Sequence, residues 1–189
     1  MPFDTIEEKL QALAECGLKL KEPFGVPDLI ESWGREALDE PGFDLALVCL
    51  GMEHEGEPFT PHCDVLWHFD AECIEDDGSY VRIAKRMALM AQGSLPLSEI
   101  EDHVDLEEGE AWLRFKCGGE NIRITCRVQD DWVDPSVFGY FVDLLAKRDP
   151  DKLFIFHELG GSQSCIIGCV TRDQYRKLGA LIPKFEPLS

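Results

Sequence analysis

Two short runs of alternating residues, joined by a pair of glycines, constrain this chain more than any other feature of it. Ala111, Leu113, Phe115 and Cys117 alternate with polar neighbours, and Ile122, Ile124, Cys126 and Val128 repeat the pattern. A period of two places each set on one face of a strand. The segment Gly118-Gly119-Glu120-Asn121 between them supplies the residues that a tight reversal needs. The spacing therefore predicts a β-hairpin with one buried face, and with it an antiparallel sheet that needs an apolar layer to cover it.

Helical signals supply that layer. Ile6, Leu10, Leu13 and Gly17 recur at helical spacing, which predicts a helix from about Ile6 to Leu18. Asp4 or Thr5 can cap it, with Glu7 or Glu8 three residues on as the return partner. A second helix is expected after Pro27, with Leu29, Ile30, Trp33 and Ala37 facing inward. Asp76-Asp77-Gly78-Ser79 reads as a turn and cap for a helix reaching about Met90. Asp134-Pro135 opens a fourth, with Asp at the cap, Pro at the first helical position, and Phe138, Phe141, Val142 and Leu145 as its stripe. Thr171 with Gln174 caps a fifth, which Gly179 ends. Strands are expected at Phe43–Leu50, which is apolar on both faces and so central, at Val65–Phe69, Leu153–Phe156 and Cys165–Val170. Gly51–His62 reads as a loop, and Ala91–Glu110 as an acidic connection with one helical turn near Ser98. Helices and strands cluster and their connections are hairpin-length. The expected fold is α+β: one domain over residues 1–189, a helical segment over 1–40, and a mainly antiparallel sheet of about six strands with about five helices over 41–189.

At 189 residues and 44% hydrophobic, the chain can build its own core, so intrinsic disorder is excluded. Its 37 Asp+Glu against 18 Lys+Arg give a formal charge of −19. No basic surplus exists to displace counterions, which argues against nucleic acid and anionic membranes as partners. The N-terminus has neither the basic nor the apolar region of a secretory signal, and the longest apolar run, Leu45 to Leu50, is too short to span a bilayer. A cytoplasmic protein is expected. In that compartment the eight cysteines read as reduced core residues; Cys49, Cys165 and Cys169 sit in apolar runs.

The acidic excess is uneven. Nineteen of the 37 acidic residues lie in the stretches Glu53–Asp77, Glu99–Glu110 and Asp130–Asp134, and none of the three contains a Lys or Arg. Glu72, Glu75, Asp76, Asp77, Glu107, Glu108, Asp130, Asp131 and Asp134 are candidates for a partner-binding surface. Trp132 is either a core plug beneath its loop or an exposed aromatic anchor ringed by Asp130, Asp131 and Asp134. His62-Cys63, His68 and Asp70 could supply zinc-type ligands if a turn gathered them, although no CxxC or HExxH spacing is present. Asp70-Ala71-Glu72 has the Asp-x-Glu form of two-metal nucleases, but its acidic surroundings would repel a nucleic-acid substrate. No nucleophile elbow occurs, and Gly160-Gly161-Ser162 lacks the lysine of a phosphate loop. Cys73 is the most plausible reactive thiol, blunted by five carboxylates between Asp70 and Asp77. Arg82, Lys85 and Arg86 share one helical face and are expected to pair with the protein's own acids.

Three strings together resemble a family of uncharacterised bacterial proteins of similar length. They are Phe69-Asp70-Ala71-Glu72-Cys73-Ile74-Glu75-Asp76-Asp77-Gly78-Ser79-Tyr80, Asp130-Asp131-Trp132-Val133-Asp134-Pro135, and Leu159-Gly160-Gly161 with Cys165-Ile166-Ile167-Gly168-Cys169. The resemblance covers roughly the C-terminal two-thirds. It implies a bacterial cytoplasmic protein and carries no activity, cofactor or catalytic residue. The residues lead instead to a non-enzymatic acidic binding protein, in particular an immunity-type inhibitor of a basic toxin or nuclease, with no cofactor. The alternative is a small metal-dependent, hydrolase-like enzyme using His62, His68, Asp70 and Glu72.

Overall fold

Residues 164–171 form a strand in which five consecutive positions are buried, and the architecture follows from that strand. A computed structural model describes residues 3–54 and 60–189; the central part of the expected Gly51–His62 loop, with Glu55 and Glu57, lies outside the described residues. In chain order the elements are α1 (Ile6–Glu15), α2 (Val26–Trp33), α3 (Arg35–Leu38), α4 (Asp44–Gly51), β1 (Glu53–His54), β2 (Thr60–Pro61), β3 (Leu66–Asp70), α5 (Ser79–Met90), β4 (Leu97–Asp105), β5 (Glu110–Cys117), β6 (Glu120–Cys126), α6 (Ser136–Arg148), β7 (Lys152–Glu158), β8 (Ser164–Thr171), α7 (Arg172–Leu181) and β9 (Glu186–Pro187). β1 and β2 pair with each other, β3-β8-β7-β9 form a four-stranded sheet, and β4-β5-β6 form a meander; every pairing between these strands is antiparallel. The fold is α+β, as expected.

β8 lies between β3 and β7, so both of its faces need cover. Ile167 and Cys169 join Trp67, Phe69 and Phe154 in a core shared with α5, α6 and the buried face of the meander. Ile166 and Val170 join Leu66 and Ile155 in a second core, closed by residues of α1, α2, α4 and α7. The four-stranded sheet is thus the middle layer of three.

The hairpin is present with the expected pattern. Ala111, Leu113, Phe115 and Cys117 are buried, and Cys117 pairs with Glu120 across a two-residue turn. Gly118 and Gly119 both adopt positive φ, 58° and 91°, as this turn demands. The capping boxes of Thr5 with Glu8 and of Thr171 with Gln174 also form.

Several expectations are corrected. Phe43–Leu50 is not a strand: Asp44–Gly51 is helix α4, with Ala46, Leu47, Cys49, Leu50 and Gly51 buried. A short run that is apolar all round fits a buried helix as well as a buried strand, and periodicity cannot separate them. The acidic connection contains no helical turn at Ser98; Leu97–Asp105 within it is β4, the first strand of the meander. Its register shifts between Ser98 and Glu101, with Glu99 at φ 49°, and that bulge breaks the alternation that would have marked it. Trp33 is exposed, and Ala37 belongs to a separate helix, because α2 ends at Trp33 and the chain turns at Gly34 into α3. Gly179 lies inside α7, which continues to Leu181. Helix α6 begins at Ser136, one residue later than expected.

All eight cysteines are free. Among the described residues no helix is long and apolar enough to cross a membrane.

Candidate functional site

The chain leaves β3 and runs through residues 71–78 to α5, and this segment is where the acidic stretches meet. Val133 N–H donates to Ala71 O at 2.9 Å, Ile74 N–H donates to Asp131 O at 2.9 Å, and Glu72 bridges to Trp132. These bonds lay the loop after β6 against the loop after β3. The first turn of α5 is tied to β4: Asp102 accepts from Gly78 N–H at 2.8 Å and Val81 N–H at 2.9 Å. Asp77 reciprocates, its Oδ1 accepting from Val104 N–H at 2.7 Å and lying 3.2 Å from His103 Nδ1. The turn carrying Leu106, Glu107 and Glu108 starts two residues beyond Val104, and Asp105 accepts from Glu108 N–H at 2.9 Å within it.

The helix cap was expected within Asp76–Ser79. The Ser79 hydroxyl instead turns back to accept from the N–H groups of Glu75 and Asp76, and the capping carboxylate comes from β4, 21 and 24 residues away. Asp102 was not singled out in the sequence, and nothing local marks it, because its partners are brought to it by the tertiary fold.

Glu72, Glu75, Asp76, Asp77, Glu107, Glu108 and Asp130 are exposed here, Asp131 is half-buried, and Trp132 stands 40% exposed. Trp132 is thus exposed and is not a core plug beneath its loop. Asp134 is corrected: it is buried and faces inward. Its carboxylate accepts from Arg127 N–H at 2.8 Å, Ser136 N–H at 3.0 Å and the Arg127 guanidinium at 3.2 Å, while its own N–H donates to Tyr80 Oη at 3.2 Å. It closes the β6–α6 connection and offers no free oxygen to a partner. The patch is also smaller than the three stretches. Glu53 pairs with Arg82 and Arg86, Asp64 with Lys21, Glu99 with Lys116 and Glu101 with Arg114. Arg82 and Arg86 thus pair with the protein's own acids as expected.

Between β3 and the start of α5 lies a cleft of about 440 Å³, lined by His68, Asp70, Glu72, Cys73, Glu75 and Arg82, among others. Burial lowers the His68 pKa, against the opposing pull of Asp70. The Cys73 thiol is pushed up to about 11, chiefly by burial and only secondarily by the carboxylates that the sequence suggested. A thiol so protonated is a poor nucleophile at neutral pH. His62 does not join this cleft: its Nδ1 is 2.9 Å from Cys49 O and its ring packs at a tilt against Phe24 with centroids 4.1 Å apart. Among the described residues no three His, Cys, Asp or Glu side chains are grouped so as to hold a metal ion.

Asp134 gives a direct test of how this surface is built. Burial would raise its pKa, but the hydrogen bonds from Arg127 and Ser136 outweigh it and hold the carboxyl below its usual value. A carboxyl depressed in the folded state stabilises fully above its unfolded pKa of about 3.9, and that contribution is lost as pH falls through the folded value. Asp134→Ala is expected to destabilise by about 2 kcal/mol at pH 7, since it strands backbone donors at a helix start. Urea titrations should show the difference from wild type shrinking below about pH 4. An equal loss at pH 7 and pH 2 would assign the effect to packing alone.

Compared with known protein families, with curated proteins and with solved structures, the chain matches none.

Proposed function

We propose that this protein is a non-enzymatic acidic binding protein of the immunity type, which neutralises a basic protein partner such as a toxin or nuclease. The observation that carries this reading is the convergence of three sequence-distant acidic segments at the start of α5, with an exposed tryptophan on one of them. An indole partly open to solvent and rimmed by carboxylates suits an interface anchor: it supplies a large rigid contact, and the rim selects a cationic counterpart. Fixed negative charge steers encounter, raising association rates towards about 10⁸–10⁹ M⁻¹s⁻¹ at low salt. The loops that carry these residues are held by backbone bonds to each other and by carboxylate–backbone hydrogen bonds to β4, so little ordering remains to be done on binding.

The test compares wild type with Glu72→Lys/Asp131→Lys/Trp132→Ala as immobilised baits in lysate of the source cell. Wild type should retain a basic protein that the triple variant loses. With that partner purified, Trp132→Ala should weaken affinity by about 2 kcal/mol, roughly 30-fold and mainly through dissociation. The two charge reversals should instead lower the association rate and flatten its salt dependence. Recovery of the same proteins by both baits would overturn the reading.

A further inference from the structure

On the other side of the central sheet, α1 and α7 are separated by an open groove of about 910 Å³ with a predominantly apolar lining. The apolar residues of its lining are Phe3, Ala12, Cys16, Ala180 and Leu181. Ala12, Cys16 and Ala180 are small, so the two helices leave between them a trough that larger side chains would have filled. Phe3 packs edge-on against Phe43 at a centroid distance of 5.3 Å and closes one end.

The charges beside the groove are not equivalent. Glu7 is held by the Arg35 guanidinium at 2.8 and 2.9 Å, and Lys177 by Asp173 at 3.0 Å. Glu8 and Glu15 have no ion pair among the described residues: Glu8 accepts only from backbone N–H groups at the start of α1, and Glu15 from the neutral Gln11 amide at 3.3 Å. They stand seven residues apart on α1, two helical turns or about 10 Å. A complementary helix would meet them with cations at the same i, i+7 spacing, along one side of an apolar stripe. A second copy of this chain fits poorly, because each copy carries a net charge of −19.

We propose that the α1–α7 groove receives an amphipathic α-helix of a partner protein, with two basic residues two turns apart along one edge of its apolar face. This surface is separate from the Trp132 patch and does not depend on the function proposed for it.

The probe is a labelled 15-residue peptide with leucines along one helical face and two lysines seven residues apart beside it, set against a scrambled peptide of the same composition. Anisotropy is read at 150 mM salt on the full chain. The ordered peptide should bind at least tenfold tighter than the scrambled one. Ala180→Trp, which fills the trough at an exposed position, should cost at least tenfold, with a thermal melt to confirm folding. Glu15→Lys should weaken the lysine peptide by severalfold, and a peptide with glutamate at the facing position should recover the loss. Trp132→Ala should change nothing, which separates this proposal from the preceding one. Equal binding of ordered and scrambled peptides, no binding at all, or indifference to Ala180→Trp would overturn it.

Discussion

Arg86→Met is expected to lower the free energy of unfolding by about 3 kcal/mol, a loss of more than a hundredfold in the folded-to-unfolded ratio. The Arg86 side chain on α5 is 4% exposed. Its Nη2 donates to Leu66 O at 2.6 Å and Cys63 O at 3.2 Å, and its Nε lies 3.2 Å from Glu53 Oε1. The guanidinium thus ties α5 to the segment entering β3 and to β1, which carries Glu53. Burial lowers its pKa, so the charge is held at a cost that Glu53 only partly offsets. Methionine fills similar space but leaves two carbonyls without donors and Glu53 short of one of its two cations. Urea denaturation should show a lower midpoint with an unchanged slope. Adding Glu53→Leu should restore part of the loss, since removing both ends of a buried pair costs less than removing one. A change under 0.5 kcal/mol for the single variant would mean that this buried pair contributes nothing net.

Gly51→Ala is expected to cost about 3 kcal/mol by a different route. A Cβ at position 51 would lie inside contact distance of His68 N and 2.9 Å from Trp67 C. Both are backbone atoms of β3, and β3 is fixed on its other side by five register pairs with β8. The only relief is for α4 to move away from the sheet, which opens gaps around Leu47 and Leu50, both fully buried. No charge changes, so the loss should be independent of pH and salt. A thermal melt within a degree of wild type would show that α4 can shift freely, contrary to its place in the second core.

Gly51 also illustrates where the sequence stopped being readable. Beside an apolar run, a glycine looks like a loop start; in the structure it is the close-approach point of a buried helix. The same ambiguity turned α4 into an expected strand. β4 was missed for another reason: of its nine residues only Val104 is buried, so its outward carboxylates and its bulge mask the period of two. The hairpin and the two capping boxes were legible because each is decided by residues within about fifteen positions of each other.

The acidic surface divides in the same way. That the charge excess falls in three stretches is a property of the sequence. That Glu53, Asp64, Glu99 and Glu101 meet their own cations, that Asp134 turns inward, and that Glu72, Asp76, Asp131 and Trp132 are gathered around the start of α5 depends on which strands pair. By itself the sequence determined the local units, which are the β5–β6 hairpin, the caps of α1 and α7 and the core stripe of α6, along with a net charge of −19. These follow from side-chain periodicity and short-range hydrogen bonding. Only the tertiary structure decided which carboxylates are neutralised and which face solvent, because ion pairing depends on separations of a few ångströms between residues tens of positions apart.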